Sequence, residues 1–281
     1  MHKKRNWTIG ILIILVVLVG GYFSFFHKSQ TSQKTVTVGV VDSSKADVAI
    51  WNQVAKTAKE KYGITVKTKT FTDYNQPNKA LKNGDIDLNA FQHQAFLDEW
   101  NKANKGDLVS IGKTVIAPIR LFSTKYKSIN DLPDGATITV PNDATNESRA
   151  LYVLKNAGLI TFKKGTGKLA TISDIKTNKK NLTIKEMDAS QTARTLDDVD
   201  AAVVNNTYAN AAKLNSKDVI YTEPVNKDSE QWINIIVARK QDKNNQAYKD
   251  VVKAYQTAAV KKLHKQYYGN TEKTVWDLNL K

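Results

Sequence analysis

From Val36 onward, short apolar or period-two runs alternate with stretches of helical period, and turn residues separate one from the next. That ordering restricts the chain to an α/β architecture, because strands and helices that take turns along a sequence pack as layers around a sheet. Val36–Val41 is followed by Asp42-Ser43-Ser44, an amphipathic run Ala46–Tyr62 and Gly63, which reads as strand, loop, helix and C′ glycine. Ile64–Phe71 alternates with period two, Asn75-Gln76-Pro77 opens a short helix to Asn83, and Gly84–Leu88 leads into a helix over 92–101. Further strands are expected at 108–115, 116–123, 136–140, 182–187, 201–204, 219–222 and 233–238, and helices at 146–157, 207–214 and 246–264, with mostly parallel sheets. The turn-rich segment 127–135 midway favours two lobes over one wide sheet.

Ahead of this lies His2-Lys3-Lys4-Arg5, and then twenty residues, Trp7–Phe26, without a charge. Twenty helical residues span about 30 Å, the usual hydrocarbon thickness, and the basic cluster stays cytoplasmic under the positive-inside rule. A cleaved signal peptide competes with this reading, but bulky Tyr22, Phe23, Phe25 and Phe26 stand where a cleavage site needs small residues. The expectation is a basic cytoplasmic end at 1–6, a transmembrane anchor at 7–26, a polar tether at 27–35 and an extracytoplasmic domain beyond it. Such a chain is single-pass in the cell membrane.

Lys+Arg 42 against Asp+Glu 27 gives a net charge of +15, which suggests an anionic neighbour. Export argues against nucleic acid. Only Arg5, Arg120, Arg149, Arg194 and Arg239 are arginines, and a lysine-dominated surface is mostly a solvated field, whereas paired recognition of carboxylate or phosphate favours arginine. The lack of cysteine removes disulfides, thiol nucleophiles and cysteine-ligated metals. No G-x-S-x-G or H-E-x-x-H occurs, Gly165-Thr166-Gly167-Lys168 fails the phosphate-loop frame, and Asp85 and Asp87 lack the further oxygens a calcium site needs. No catalytic residue, metal or cofactor is therefore expected.

Three constellations follow strands. Asn89-Ala90-Phe91-Gln92-His93-Gln94-Ala95-Phe96 mixes hydrogen-bonding groups with aromatics, and fits either a core with a satisfied imidazole or the wall of a small-molecule pocket. Pro141-Asn142-Asp143-Ala144-Thr145-Asn146-Glu147-Ser148-Arg149 puts capping residues and an arginine at a helix start. A plain N-cap with a surface salt bridge and an anion cradle both suit it. Asn205-Asn206-Thr207-Tyr208 places amides after a strand, where they serve as caps or as donors and acceptors for a ligand.

Together these segments resemble the NlpA-type methionine-binding lipoproteins of bacterial ABC importers. The resemblance covers roughly Val36 to Leu278 and rests on Phe71–Leu81, Gly84–His93, Pro141–Asn146 with Arg149-Ala150-Leu151, and Ala202–Asn205 with Tyr208-Ala209. It implies a two-lobed fold of the type II periplasmic-binding-protein kind, with lobe 1 at 36–122 and 223–281 and lobe 2 at 123–222. Two crossing segments then form a hinge and an amino acid lies in the cleft.

The resemblance further implies that Arg149 pairs with the ligand carboxylate, with Asn146 beside it in the binding set. Asn205 and Asn234 hold the ligand backbone groups, and Tyr74, Phe91 and His93 wall its side chain. The implied function is capture of methionine, a close analogue or a methionine peptide for an ABC permease and its ATPase, with no enzymatic step. A surface adhesin or structural protein on the same fold, binding anionic polymer, is the alternative. Family members are acylated on a cysteine, and this chain has none.

Overall fold

The computed structural model describes residues 34–41 and 44–278, and the compact unit within it begins at Thr35. The first strand, β1 (Thr35–Val41), is buried from Val38 on. Gly39 within it admits the neighbouring layer, since a Cβ there would lie 2.5 Å from Ile86 Cδ1. Helix α1 (Lys45–Tyr62) starts where the Ser44 hydroxyl accepts the Asp47 N–H and stops at Gly63, whose φ of 69° lets its N–H return to the Ala58 and Lys59 carbonyls. Next come β2 (Thr65–Phe71) and α2 (Pro77–Asn83), which has a proline in its first turn.

The two-residue β3 (Leu88–Asn89), helix α3 (Gln94–Asn104), the long β4 (Leu108–Ile116) and β5 (Arg120–Phe122) complete the first half. The second half runs β6 (Thr137–Pro141), α4 (Ala144–Asn156), β7 (Ile160–Phe162), β8 (Ile175–Asn178), β9 (Thr183–Met187) and α5 (Ala189–Thr192). It continues with β10 (Ala201–Val204), α6 (Asn206–Ala211), β11 (Val219–Thr222), β12 (Ile233–Arg239), α7 (Gln246–Tyr255), α8 (Ala258–Tyr268) and β13 (Lys273–Thr274).

These strands form two main sheets. One has the order β13-β4-β12-β3-β1-β2, the other β11-β5-β10-β6-β9, and β7 with β8 makes a separate ribbon. The chain passes between the main sheets through 117–119 after β4 and returns through 223–232 before β12. Burial follows the layers. Ile50, Trp51, Val54 and Ala58 of α1 pack with Val251, Tyr255 and Val260 on the first sheet, and Leu151 and Leu154 of α4 pack on Ile138, Val140 and Val203 of the second. A further cluster runs across both sheets, joining Phe71, Leu81 and Ile235 to Phe122, Val204 and Tyr208. Each fully buried Leu or Ile in these clusters contributes roughly 1.5–3 kcal/mol from transfer out of water.

The structure corrects several expectations. The expected fold included a transmembrane helix at 7–26; no helix among the described residues is long and apolar enough to cross a membrane, and 7–26 lies outside them. Among the described residues the fold class is mixed α/β. The sheets are also not mostly parallel. β1 pairs in parallel with β2 and β3, and β6 with β9 and β10, but β12 is antiparallel to β3 and β4, and β5 to β10 and β11. The physical reason is the crossing, since a strand that arrives directly from the other sheet has no crossover helix to turn it parallel.

The helix expected over 246–264 is two helices, because the Thr257 hydroxyl accepts the Val260 N–H and caps a new start. Of the strand expected over 116–123, Ile116 ends β4 and Arg120–Phe122 forms β5, with 117–119 between them in neither strand. The β7–β8 ribbon, which is not among the expected strands, is an additional element.

Candidate ligand-binding site

Tyr74, Phe91, His93, Asn146, Arg149, Asn205 and Asn234 line one pocket, together with Gln92, Phe96, Ala117, Asn206 and Thr207. It holds about 390 Å³ of space not filled by protein atoms, part of it open to solvent. The residues come from both main sheets. Tyr74 lies in the turn between β2 and α2, Phe91 and His93 follow β3, and Asn234 sits in β12, where it forms an antiparallel bridge with His93. Asn146 and Arg149 occupy the first turns of α4 and Asn205 is the cap of α6, so these three extend from the strand ends of the second sheet.

The polar floor can be followed proton by proton. His93 caps α3, its Nδ1 accepting the Phe96 N–H at 3.1 Å. The proton of a neutral imidazole then belongs on Nε2, which lies 3.3 Å from Asn146 Oδ1 and donates to it. Asn146 is oriented by its own amide, whose Nδ2 donates to both oxygens of Asp143 at 3.0 Å. The same Asn146 Oδ1 accepts from Asn205 Nδ2 at 2.8 Å. Asn205 therefore presents its carbonyl elsewhere, and that buried oxygen has no partner. An unmet acceptor in a pocket wall is suited to an ammonium or amide donor from a ligand.

Burial pushes the His93 imidazole down to about 3, with the Arg149 guanidinium adding to the effect and the Asn146 hydrogen bond opposing it. The unfolded chain takes up a proton near the ordinary value of 6.5 that the folded chain refuses until about 3. The stabilisation is thus complete above pH 6.5 and is lost as pH falls from there toward 3. Glu147 works the other way. Burial and the Glu186 charge lift its carboxyl from 4.5 to about 7, so its cost to the fold grows as pH rises through that window. In urea unfolding, the stability difference between wild type and His93→Asn is expected to grow with pH between about 4 and 6.5, by at most about 1.4 kcal/mol per unit. A difference that stays flat would remove the neutral, buried imidazole.

Arg149 supplies the positive charge. It is 4% exposed, its Nε donates to Glu223 Oε1 at 2.8 Å, and its Nη2 donates to Glu223 Oε2 at 2.5 Å and to the Ala117 carbonyl at 3.0 Å. The guanidinium carbon lies 4.9 Å from the centroid of the Trp232 ring. Nη1 takes no part in these bonds. Around the opposite wall, Tyr74 is 5.8 Å from Phe91, 6.1 Å from Phe96 and 4.9 Å from Tyr208, measured between ring centroids. Burial raises the Tyr74 phenol well above its ordinary range, which keeps it protonated. Behind His93, a buried amide cluster holds the loop: Asn78 and Gln92 exchange hydrogen bonds at 2.8 and 2.6 Å, and each also meets Asn89 at 2.9 Å.

The model of the NlpA lipoprotein family matches residues 36–276. The chain belongs to the NlpA lipoprotein family. Among solved structures, it is similar to the substrate-binding protein of a methionine transporter from Streptococcus pneumoniae, at 48% identity and a TM-score of 0.81 over 86% of this chain and 96% of that one. It is also similar to a nutrient-binding protein from Burkholderia cenocepacia bound to methionine, at 45% identity and a TM-score of 0.81 over 85% and 99% of the two chains. The probable D-methionine-binding lipoprotein MetQ of Haemophilus influenzae is 43% identical over 262 residues, 92% of this chain and 94% of its own. These relatives are named as binding proteins, one of them that of a methionine transporter.

Within this NlpA-family pocket, sequence reasoning did not single out Phe96, Ala117, Asn206 or Thr207 as lining residues, nor Glu223 and Trp232 beneath Arg149. Phe96, Asn206 and Thr207 lay inside the quoted constellations, so adjacency alone would have added them. Glu223 carries no local signal, since its partner Arg149 is 74 positions away.

Proposed function

We propose that this protein captures free methionine or a close analogue outside the cell and delivers it to a membrane permease driven by an ATPase. The observation that carries the reading is the union, in one pocket, of a buried arginine, an unpartnered amide oxygen and an aromatic wall. An amino-acid zwitterion matches this set. Its carboxylate pairs with Arg149 through Nη1, its ammonium donates to Asn205 Oδ1, and a polarizable thioether packs against Tyr74, Phe91 and Phe96. Asn146 and His93 hold Asn205 in register, and Asn234 completes the wall. The domain performs no covalent chemistry. It is extracytoplasmic and membrane-associated, as suits a member of a lipoprotein family.

Lobe 1 is 36–119 with 223–281 and lobe 2 is 120–222, the boundary expected at 122 moving back because Arg120–Phe122 pairs with β10 and β11 of the second sheet. Tyr74, Phe91, His93 and Asn234 face the ligand from lobe 1, and Asn146, Arg149 and Asn205 from lobe 2. A ligand that touches both lobes only when they are together favours the closed arrangement by the difference in affinity. Isothermal titration of L-methionine, D-methionine, methionine peptides and unrelated amino acids tests the reading. Heat with at least one methionine compound and none with alanine or glutamate is expected; silence with every methionine compound rejects it.

A further inference from the structure

Glu223 stands at the return crossing between the sheets, directly after β11, and its side chain is only 11% exposed. One oxygen accepts Arg149 Nε, and the other accepts both Arg149 Nη2 and the Ile119 N–H, at 3.1 Å. The Glu223 N–H in turn donates to the Ile119 carbonyl at 3.1 Å. Two crossing segments and the arginine of α4 are therefore tied at one carboxylate, while Trp232 fixes the plane of the guanidinium from its face.

A guanidinium has five N–H donors in a rigid fork. Glu223 takes the Nε–Nη2 edge of that fork, the Ala117 carbonyl takes the second Nη2 N–H, and the ring prevents tilting. Nη1 is left on the remaining side, belonging to a residue that lines the pocket. A buried ion pair is weak evidence for stability in itself, because desolvation offsets most of its attraction. Its geometric effect is specific.

We propose that Glu223 is a positioning residue for ligand recognition: it holds the Arg149 fork so that Nη1 meets the ligand carboxylate, and it couples that contact to both hinge segments. This rests on the reading that Arg149 receives the carboxylate of a methionine-like ligand. Glu223 itself does not touch the ligand.

The test compares L-methionine with L-methioninol, in which a hydroxymethyl group replaces the carboxylate, by titration calorimetry on wild type and Glu223→Gln. In the variant an amide N–H faces a donor at either oxygen position, so the fork turns. The wild type should prefer methionine strongly. Glu223→Gln should lose about 10- to 100-fold in methionine affinity and little for methioninol, so that the ratio collapses. A purely structural role would weaken both ligands equally and preserve the ratio, which overturns the proposal. If Glu223→Gln loses its folded circular-dichroism signal, Glu223→Asp, which keeps the charge one methylene further back, is put to the same ratio. Retention of the wild-type ratio there also overturns it. A wild type that binds neither compound, or does not distinguish them, rejects the methionine reading itself.

Discussion

Replacing Arg149 by alanine is expected to weaken L-methionine binding by about 2–5 kcal/mol, because the ligand carboxylate then enters a buried site with no cation. The same change strands the Glu223 carboxylate, whose two oxygens accept from Arg149, and breaking a buried pair from one side costs about 3–5 kcal/mol of stability. The two effects separate in Arg149→Ala with Glu223→Gln, where the stranded charge is gone. That double variant should regain much of the unfolding free energy and none of the affinity. A folded Arg149→Ala protein that binds methionine as tightly as wild type would refute the role given to the guanidinium.

The second large effect is expected at Asn146, which is 1% exposed. Its carbonyl oxygen receives both His93 Nε2–H and Asn205 Nδ2–H. Asn146→Leu keeps the volume and leaves those two donors without an acceptor, at about 1–3 kcal/mol each. Urea unfolding should show a loss of roughly 2–5 kcal/mol, and calorimetry a loss of methionine binding, since Asn205 is then free to turn its amide over. Stability within about 0.5 kcal/mol of wild type, the range of a neutral surface change, would mean that the three side chains are not coupled as described.

The parts of the site that could be read from the sequence share one property. Asn146 and Arg149, Asn205, and His93 each sit where a strand gives way to a helix, and capping chemistry marks such places within a few residues. Pairings over long separations were not legible. Nothing near Glu223 announces that it will meet Arg149, and the sheets' antiparallel halves depend on where β12 and β5 arrive from, which is a property of topology rather than of any local pattern. The break at Thr257 failed for the opposite reason: the apolar period continues across it, and a single hydroxyl decides the outcome. The ribbon at 160–178 was hidden by its lysines and glycines, whose composition is that of a loop.

Among the residues that line the pocket, Arg149 alone bears a formal charge, and Glu223 directly beneath it carries the opposite one. An incoming amino acid brings equal and opposite charges of its own, so occupation leaves the interior's net electrical balance unchanged. Added salt, which weakens contacts between exposed ions, has little to act on here. Loading should therefore be nearly indifferent to the ionic strength outside the cell, however strongly the lysine-covered exterior responds to it.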